Sequence, residues 1–150
     1  MPAHSETQLS PYSAEQLFNL VADVSRYPEF LPWCRAARIL EKNDQEMLAE
    51  LVISFAHLSE KYTSRVTLSP HHAINAEMVK GPFHHLINQW RFHPLPEGGT
   101  RIEFFLDFKF RSRMLETMMG GLFTRATDSM MQAFRERADA LYGAANLKNC

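Results

Sequence analysis

The histidines are the residues of this chain best suited to binding a metal, but their spacing argues against it. Four of the seven form adjacent pairs, His71-His72 and His84-His85. Adjacent residues on a strand point to opposite faces of a sheet, so neither pair could hold an ion as a unit. The Cys-x-x-Cys and His-x-x-x-His spacings of zinc sites do not occur in the sequence. We therefore predict no metal site.

Covalent and acid–base catalysis have little support in the sequence. Cys34 lies among apolar neighbours with no histidine close to it, and the chain has no Gly-x-Ser-x-Gly motif. Glu103 and Asp107 alternate with Arg101 and Lys109, which is typical of a solvated strand face with paired charges. The sequence thus predicts no catalytic residue, and we expect a protein that is not an enzyme.

A small basic cluster, Lys109, Arg111 and Arg113, could contact a phosphate backbone or lipid headgroups. It could equally serve only solubility and pairing with nearby acids. The chain has 16 basic and 17 acidic residues and a net charge of −1, so nothing global attracts nucleic acid. We expect no DNA partner, and we keep the ribosome and a transient membrane-surface contact as alternatives for this cluster.

Apolar side chains point to a different chemistry, the binding of a hydrophobic molecule. The chain has 11 Phe and 8 Met, and five of the Met residues fall between positions 114 and 131. Met is flexible and suits surfaces that accept variable apolar shapes, although Met at helical spacing is more often ordinary core. The predicted ligand contacts are Phe30, Trp33, Tyr62, Phe83, Trp90, Phe104, Phe108, Met118, Met119, Leu122 and Phe123.

The elements that must position these side chains can be predicted in chain order. Residues 3–10 alternate weakly, like a short strand, and Ser13 to Gln16 have the form of a capping box that starts a helix. Two prolines within Tyr27–Cys34 allow only a short helical turn and a tight corner. Strands are predicted over 35–42, 46–57, 60–68, 73–80, 84–93 and 100–111, and a helix over 113–142 with an interruption at Gly120-Gly121.

The predicted fold class is α+β, with a curved seven-stranded antiparallel sheet around a long C-terminal helix and two short helices after the first strand. The last strand alternates apolar and charged residues, which is typical of a sheet with one covered face and one wet face. One helix cannot fill the concave side of seven strands, so bulky side chains or a cavity must fill the rest. Tyr27–Cys34 would then be either a rigid packed corner or a gate at a pocket mouth, with Gly81-Pro82-Phe83 as the opposing lip.

A series of motifs occurs in order along the chain: Ala22-Asp23-Val24, Tyr27 to Cys34, Thr63 to Val66, Gly81-Pro82-Phe83, Trp90-Arg91-Phe92 and Phe104 to Arg113. Together they resemble the bacterial coenzyme-Q-binding START-like family. Its members are named ribosome-association toxins in some bacteria, and it belongs with the polyketide cyclase/dehydrase-like helix-grip proteins. The resemblance covers roughly residues 3–143 and implies a helix-grip fold with a hydrophobic tunnel. It places the family's motif residues Tyr27, Pro28, Phe30, Pro32 and Trp33 at the corner and Gly81, Pro82 and Phe83 at the lip.

The resemblance implies three alternative functions. The first is binding of ubiquinone or a related polyisoprenoid lipid, as a lipid chaperone that supports respiratory electron transport and needs no cofactor. Tyr62, Trp90 or Asn88 could donate hydrogen bonds to the quinone head. The second is a toxin that binds the large ribosomal subunit and inhibits translation initiation. The third is a polyketide cyclase-like enzyme.

The chain is expected to be one domain, residues 1–150, with an ordered core over 3–143 and a flexible tail over 144–150. It has no signal-peptide pattern and no apolar run of membrane-spanning length. We therefore expect a cytoplasmic protein that meets the inner membrane only at its surface. His57 and His84-His85 depart from the residue types expected in the family, after the third strand and beyond the lip.

Overall fold

The N-terminal part of the chain forms one strand and two short helices. A computed structural model describes residues 3–31, 33–55, 58–120 and 123–143. It begins with strand β1 (Ala3–Ser10), helix α1 (Ala14–Ala22) and a 3-10 helix (Val24–Glu29). These are the predicted first strand and two short helices.

The predicted capping box forms at the start of α1. Gln16 N donates to Ser13 Oγ at 3.1 Å, and Ser13 N donates to the Gln16 side chain at 3.0 Å. Two N–H groups that the helix start would leave unpaired are thereby satisfied, which contributes about 1 kcal/mol. Tyr12 and Leu17, at the two hydrophobic-staple positions, are both buried. Local sequence therefore determines where α1 begins.

Six further strands build the rest of the sheet, and all neighbouring strands are antiparallel. The seven strands lie in the order β1-β7-β6-β5-β4-β3-β2, so only β1 pairs out of sequence. The added strands are β2 (Cys34–Lys42), β3 (Glu46–Phe55), β4 (Leu58–Ser69), β5 (Ala73–Lys80), β6 (Phe83–Pro94) and β7 (Thr100–Phe110).

Strand β7 shows most directly why one face of the sheet is covered. Ile102, Phe104, Phe108 and Phe110 are buried on one side. On the other side the acids pair with basic groups, as expected: Glu103 Oε1 lies 3.1 Å from His93 Nε2 and 3.8 Å from an Arg101 nitrogen, and Asp107 Oδ1 lies 3.2 Å from His85 Nε2. The period of two thus separates the core from the solvated face.

The C-terminal helix covers the apolar face in two described segments, α2 (Arg113–Gly120) and α3 (Phe123–Ala138). A π-helical turn (Asp139–Gly143) follows. The predicted interruption at Gly120-Gly121 stays a prediction, because Gly121 and Leu122 lie outside the described residues. The inward face of α3 is buried at helical spacing, with Thr127, Met130, Met131, Phe134 and Ala138.

The buried side chains form two clusters on this covered face. The larger contains Trp90, Phe92 and Phe134, and the smaller contains Phe83, Leu86, Phe108 and Phe110. The predicted α+β helix-grip architecture is therefore confirmed. The predicted tail, residues 144–150, lies outside the described residues. Within the described part of the chain, no helix combines the length and apolar character needed to cross a membrane.

Candidate functional site

A cavity of about 160 Å³ lies between the sheet, helix α3 and the corner after the 3-10 helix. Strands β3, β4, β6 and β7 supply side chains from the sheet. Helix α3 supplies three more that are spaced three and four residues apart and so share one helix face. The lining is mostly apolar and consists of Tyr27, Leu31, Trp33, Leu51, Ile53, Tyr62, Phe83, Leu86, Asn88, Trp90, Leu106, Phe108, Phe110, Thr127, Met130 and Phe134.

Five of the residues predicted to contact a ligand line this cavity together: Trp33, Tyr62, Phe83, Trp90 and Phe108. Trp33 comes from the segment expected to be either a packed corner or a gate, and Phe83 from the opposing lip. The two segments therefore meet at one cavity although they are about fifty residues apart in sequence. Phe83 is only 2% exposed and stacks on Phe110 with ring centroids 4.7 Å apart, so it is a wall rather than a surface residue.

Phe30 and Phe104 do not belong to the lining, and each packs against an aromatic residue that does. Phe30 packs edge-on against Phe134 at 5.2 Å, and the Arg137 guanidinium lies 5.1 Å above its ring. Phe104 packs edge-on against Trp90 at 4.9 Å. The remaining predicted contacts are not among the described parts of the structure. Leu122 lies outside the described residues, and so do the side chains of Met118, Met119 and Phe123.

Several lining residues were not among the predicted contacts. Met130 and Phe134 of α3 belong to the apolar helix face that the sequence shows, whereas Thr127 is polar and is not part of that pattern. Leu51 and Ile53 of β3 lie two residues apart and so point to the same side of the sheet. The signal was present for the four apolar residues, but periodicity indicates only burial and does not separate a cavity wall from solid core.

Asn88 and Trp90 form the main polar contact within the lining. Trp90 Nε1 donates to Asn88 Oδ1 at 3.0 Å, and Asn88 Nδ2 donates to the Phe105 carbonyl at 3.0 Å. The Trp90 N–H, considered above as a donor to a ligand, is therefore already used. Asn88 keeps one N–H and one lone pair for another partner.

The indole N–H of Trp33, unlike that of Trp90, is not used in a hydrogen bond among the described residues. Trp33 Nε1 is buried and has no hydrogen-bond partner within the described part of the chain. A buried polar group without a partner costs about 1–3 kcal/mol, so such groups are uncommon in folded proteins. A ligand that places an oxygen near this N–H would remove that cost.

The titratable groups near the cavity are held in their neutral forms. Burial raises the pKa of Tyr27 and of Tyr62 well above the ordinary value for tyrosine. The Tyr27 hydroxyl donates to the Val21 carbonyl. Burial also raises the pKa of the Cys34 thiol from 9.0 to about 11, so its reactive thiolate is scarce at neutral pH.

Gly81 fixes the position of Tyr62. Its φ is +157°, and a Cβ added there would lie 2.6 Å from Tyr62 Cβ and 3.0 Å from Met78 Sδ. Only glycine lets the turn between β5 and β6 pass this close to β4. The lip therefore acts on the cavity through Tyr62 as well as through Phe83.

The three residues of the basic cluster differ in their surroundings. Arg111 Nε donates to the Phe83 carbonyl at 2.9 Å, which ties the end of β7 to the start of β6. Lys109 is partly buried on β7, and Arg113 is exposed at the start of α2. Arg111 thus has a structural contact in addition to its charge.

Comparison with known proteins places this architecture in a family. Residues 10–135 match the family described as polyketide cyclase/dehydrase and lipid transport. The chain belongs to this family.

Within the polyketide cyclase/dehydrase and lipid transport family, the curated relatives carry the two names that the motifs suggested. The chain is 44% identical to the ribosome association toxin RatA of Escherichia coli K12, over 96% of this chain and 91% of that protein. It is 31% identical to the mitochondrial coenzyme Q-binding protein COQ10 homolog B of Xenopus laevis, over 93% of this chain and 59% of that protein. The predicted resemblance is confirmed.

An aromatase/cyclase is among the solved structures that share this fold. The crystal structure of Zhui aromatase/cyclase from Streptomyces sp. R1128 matches with a TM-score of 0.81 at 20% identity, covering 92% of this chain and 93% of that one. At this identity the likeness shows the fold alone. The polyketide cyclase part of the family name therefore assigns no reaction to this chain.

Proposed function

We propose that this protein binds ubiquinone or a related polyisoprenoid lipid, with the oxygen-bearing ring in the cavity beside Trp33. The observation that carries the proposal is the buried, unpartnered N–H of Trp33 on an otherwise apolar wall. Apolar pockets with a few placed polar groups are typical of sites for small hydrophobic ligands. A quinone carbonyl would accept from Trp33, and Tyr62 and Asn88 are further donors on the same lining.

The size of the cavity supports a ring as its occupant. A cavity of about 150 Å³ in another protein accommodates benzene, and this one measures about 160 Å³. The cavity therefore has room for one six-membered ring, whereas a complete polyisoprenoid chain exceeds it. Family members include a protein named for coenzyme Q binding, which favours a role as a lipid chaperone in respiratory electron transport.

A chaperone role is favoured over a catalytic one by the chemistry of the lining. The described lining residues include no Asp, Glu, His or Lys. The two tyrosines have raised pKa values and stay protonated near neutral pH. General acid–base catalysis needs a group that titrates near the working pH. The polyketide cyclase-like alternative therefore lacks a candidate acid or base in this cavity.

The first test is direct binding. Trp33 and Trp90 are the only two tryptophans of the chain, and both line the cavity. Titration with a short-tailed ubiquinone should quench their fluorescence saturably, with micromolar affinity. Organic extraction of the purified protein followed by mass spectrometry should recover quinone. An empty extract together with no saturable quenching would refute the proposal.

Trp33→Phe separates recognition of the ring oxygen from general apolar binding. The variant keeps an aromatic ring but loses the N–H, and a lost hydrogen bond of about 1 kcal/mol corresponds to roughly fivefold weaker quinone binding. A hydrocarbon of similar size serves as the control ligand, because it has no oxygen to accept from Trp33. Equal weakening of both ligands would mean that Trp33 acts only through packing.

Ribosome association is the second candidate, favoured by the 44% identity to proteins named for it. Lys109 and Arg113 would supply phosphate contacts, and a cytoplasmic setting follows from this role. Lys109→Ala with Arg113→Ala should reduce co-sedimentation with large ribosomal subunits at low salt and should flatten its salt dependence. Arg65→Ala, which removes an exposed charge from β4, is the matched control. Absence of co-sedimentation by the unaltered protein at low salt would exclude this role.

A further inference from the structure

We propose that a second chamber, separated from the first by Trp90 and Phe134, receives the apolar tail of the ligand. This inference rests on the proposed function, because it assumes that the ring occupies the first cavity. The second chamber measures about 170 Å³ and lies between β1, α1 and α3. Its inner wall includes Leu17, Val21, Phe92, Ile102, Met131 and Ala138.

The two chambers share two lining residues, Trp90 and Phe134. Their ring centroids lie 5.0 Å apart in an edge-to-face arrangement. These two rings therefore form the partition between the chambers. Together the chambers reach the lower end of the roughly 300–1,000 Å³ that is common for small-molecule pockets.

Phe134 is the member of the partition that can move. Trp90 is held by its hydrogen bond to Asn88 and by rings on both sides, Phe92 and Phe104. Phe134 packs against the rings of Tyr27, Phe30 and Trp90 but has no hydrogen-bonding group. Its rotation therefore costs ring packing and leaves no polar group of its own unsatisfied, whereas rotation of Trp90 would also break a hydrogen bond. Rotation of this ring would join the two chambers into one channel.

The chemistry of the second chamber suits a hydrocarbon chain. Side chains of α1, β6, β7 and α3 make much of its wall apolar, and the polar lining residues include Gln8, Ser10, Arg135 and Asp139. A tail that passes Phe134 would bury methylene and methyl groups against the apolar wall. Each isoprenoid unit that enters should tighten binding about tenfold or more.

Isoleucine methyl groups provide a test in the unaltered protein, because Ile53 lines the first chamber and Ile102 the second. Ubiquinone without a tail should shift the NMR signal of the Ile53 methyl and leave that of Ile102 in place. Ubiquinone with two isoprenoid units should shift both. If the tailed ligand shifts only Ile53, the tail goes elsewhere and the inference is wrong. If neither ligand shifts Ile53, the proposed function fails as well.

Two substitutions test the partition and the chamber separately. Ala138→Leu adds volume from α3 into the second chamber, so it should abolish the gain in affinity with tail length and leave the tail-less ligand unchanged. Phe134→Leu shortens the partition and should increase the preference for the tailed ligand. The double variant should return towards the behaviour of Ala138→Leu. The same dependence on tail length in all four proteins, with tail-less binding retained, would overturn the second chamber alone.

Discussion

At the scale of single residues, the two tryptophans of the cavity show how context decides the role of one chemical group. Both present an indole N–H inside an apolar region. Asn88 accepts from Trp90, while Trp33 has no acceptor in the described part of the chain. The first N–H stabilises the fold, and the second is left available to a ligand.

This difference predicts unequal effects on stability. Trp90→Phe leaves the partly buried Asn88 without its donor and should lower the free energy of unfolding by about 1–3 kcal/mol more than Trp33→Phe. Trp90 is also the more buried of the two rings, so its replacement changes packing as well as the hydrogen bond. A double-mutant cycle with Asn88→Ala separates the hydrogen bond from the packing. Urea denaturation should give a coupling of about 1 kcal/mol for Trp90 with Asn88 and none for Trp33 with Asn88. Equal couplings would contradict the assignment.

Cys34 predicts a specific change of stability at high pH. Its pKa is raised from 9.0 to about 11 in the folded protein, so the folded state holds the thiol proton more tightly than the unfolded chain. The resulting stability is fully present below about pH 9 and is lost as the pH rises through 11. Between these values the unaltered protein should lose more free energy of unfolding than Cys34→Ala does. Parallel pH profiles for the two proteins, measured by urea denaturation, would show that the thiol is not shifted.

At the scale of elements, the turn between β5 and β6 determines where Tyr62 can lie. Gly81→Ala would place a methyl group 2.6 Å from Tyr62 Cβ. Overpacking of this kind typically costs about 1–3 kcal/mol, and the displaced Tyr62 should also weaken ligand binding. Gly98→Ala is the control, because Gly98 also has a positive φ, at +100°, but has nothing within 4 Å of an added Cβ. Melting temperature and quinone titration should show a binding defect only for Gly81→Ala.

The elements themselves were largely predictable because their signals are local. The capping box at Ser13 and the alternation along β7 each lie within a few residues and appear as predicted. The sequence does not decide whether a cavity exists, because alternation reports which side chains face inward and not whether they meet. The state of the Trp33 N–H depends on which acceptors other elements bring near it. Phe30 and Phe104 illustrate the same limit, since both pack against lining residues, Phe134 and Trp90, without lining the cavity themselves.

At the scale of the whole molecule, ligand binding and folding are linked. A ligand that binds only the folded chain at 100 times its Kd stabilises it by about 2.7 kcal/mol. For a domain of this size that corresponds to a rise in melting temperature of roughly 5–10 °C. Thermal unfolding with increasing short-tailed ubiquinone should show this rise, and Trp33→Phe should need more ligand to reach it. A melting temperature that stays constant at saturating quinone would be incompatible with binding to the native state.

The pairing of β1 with β7 gives the chain an order of assembly. Ala3 lies opposite Asp107, whereas each of the other neighbouring strands follows directly in sequence. The same closure joins the Tyr12 hydroxyl to Asp139 at 2.5 Å and the Tyr142 hydroxyl to the Gln16 carbonyl at 3.0 Å. Contacts this distant in sequence form late, because the intervening loop must close first. During synthesis, the first strand must therefore wait until residues 100–110 have been made before it has its partner strand to join.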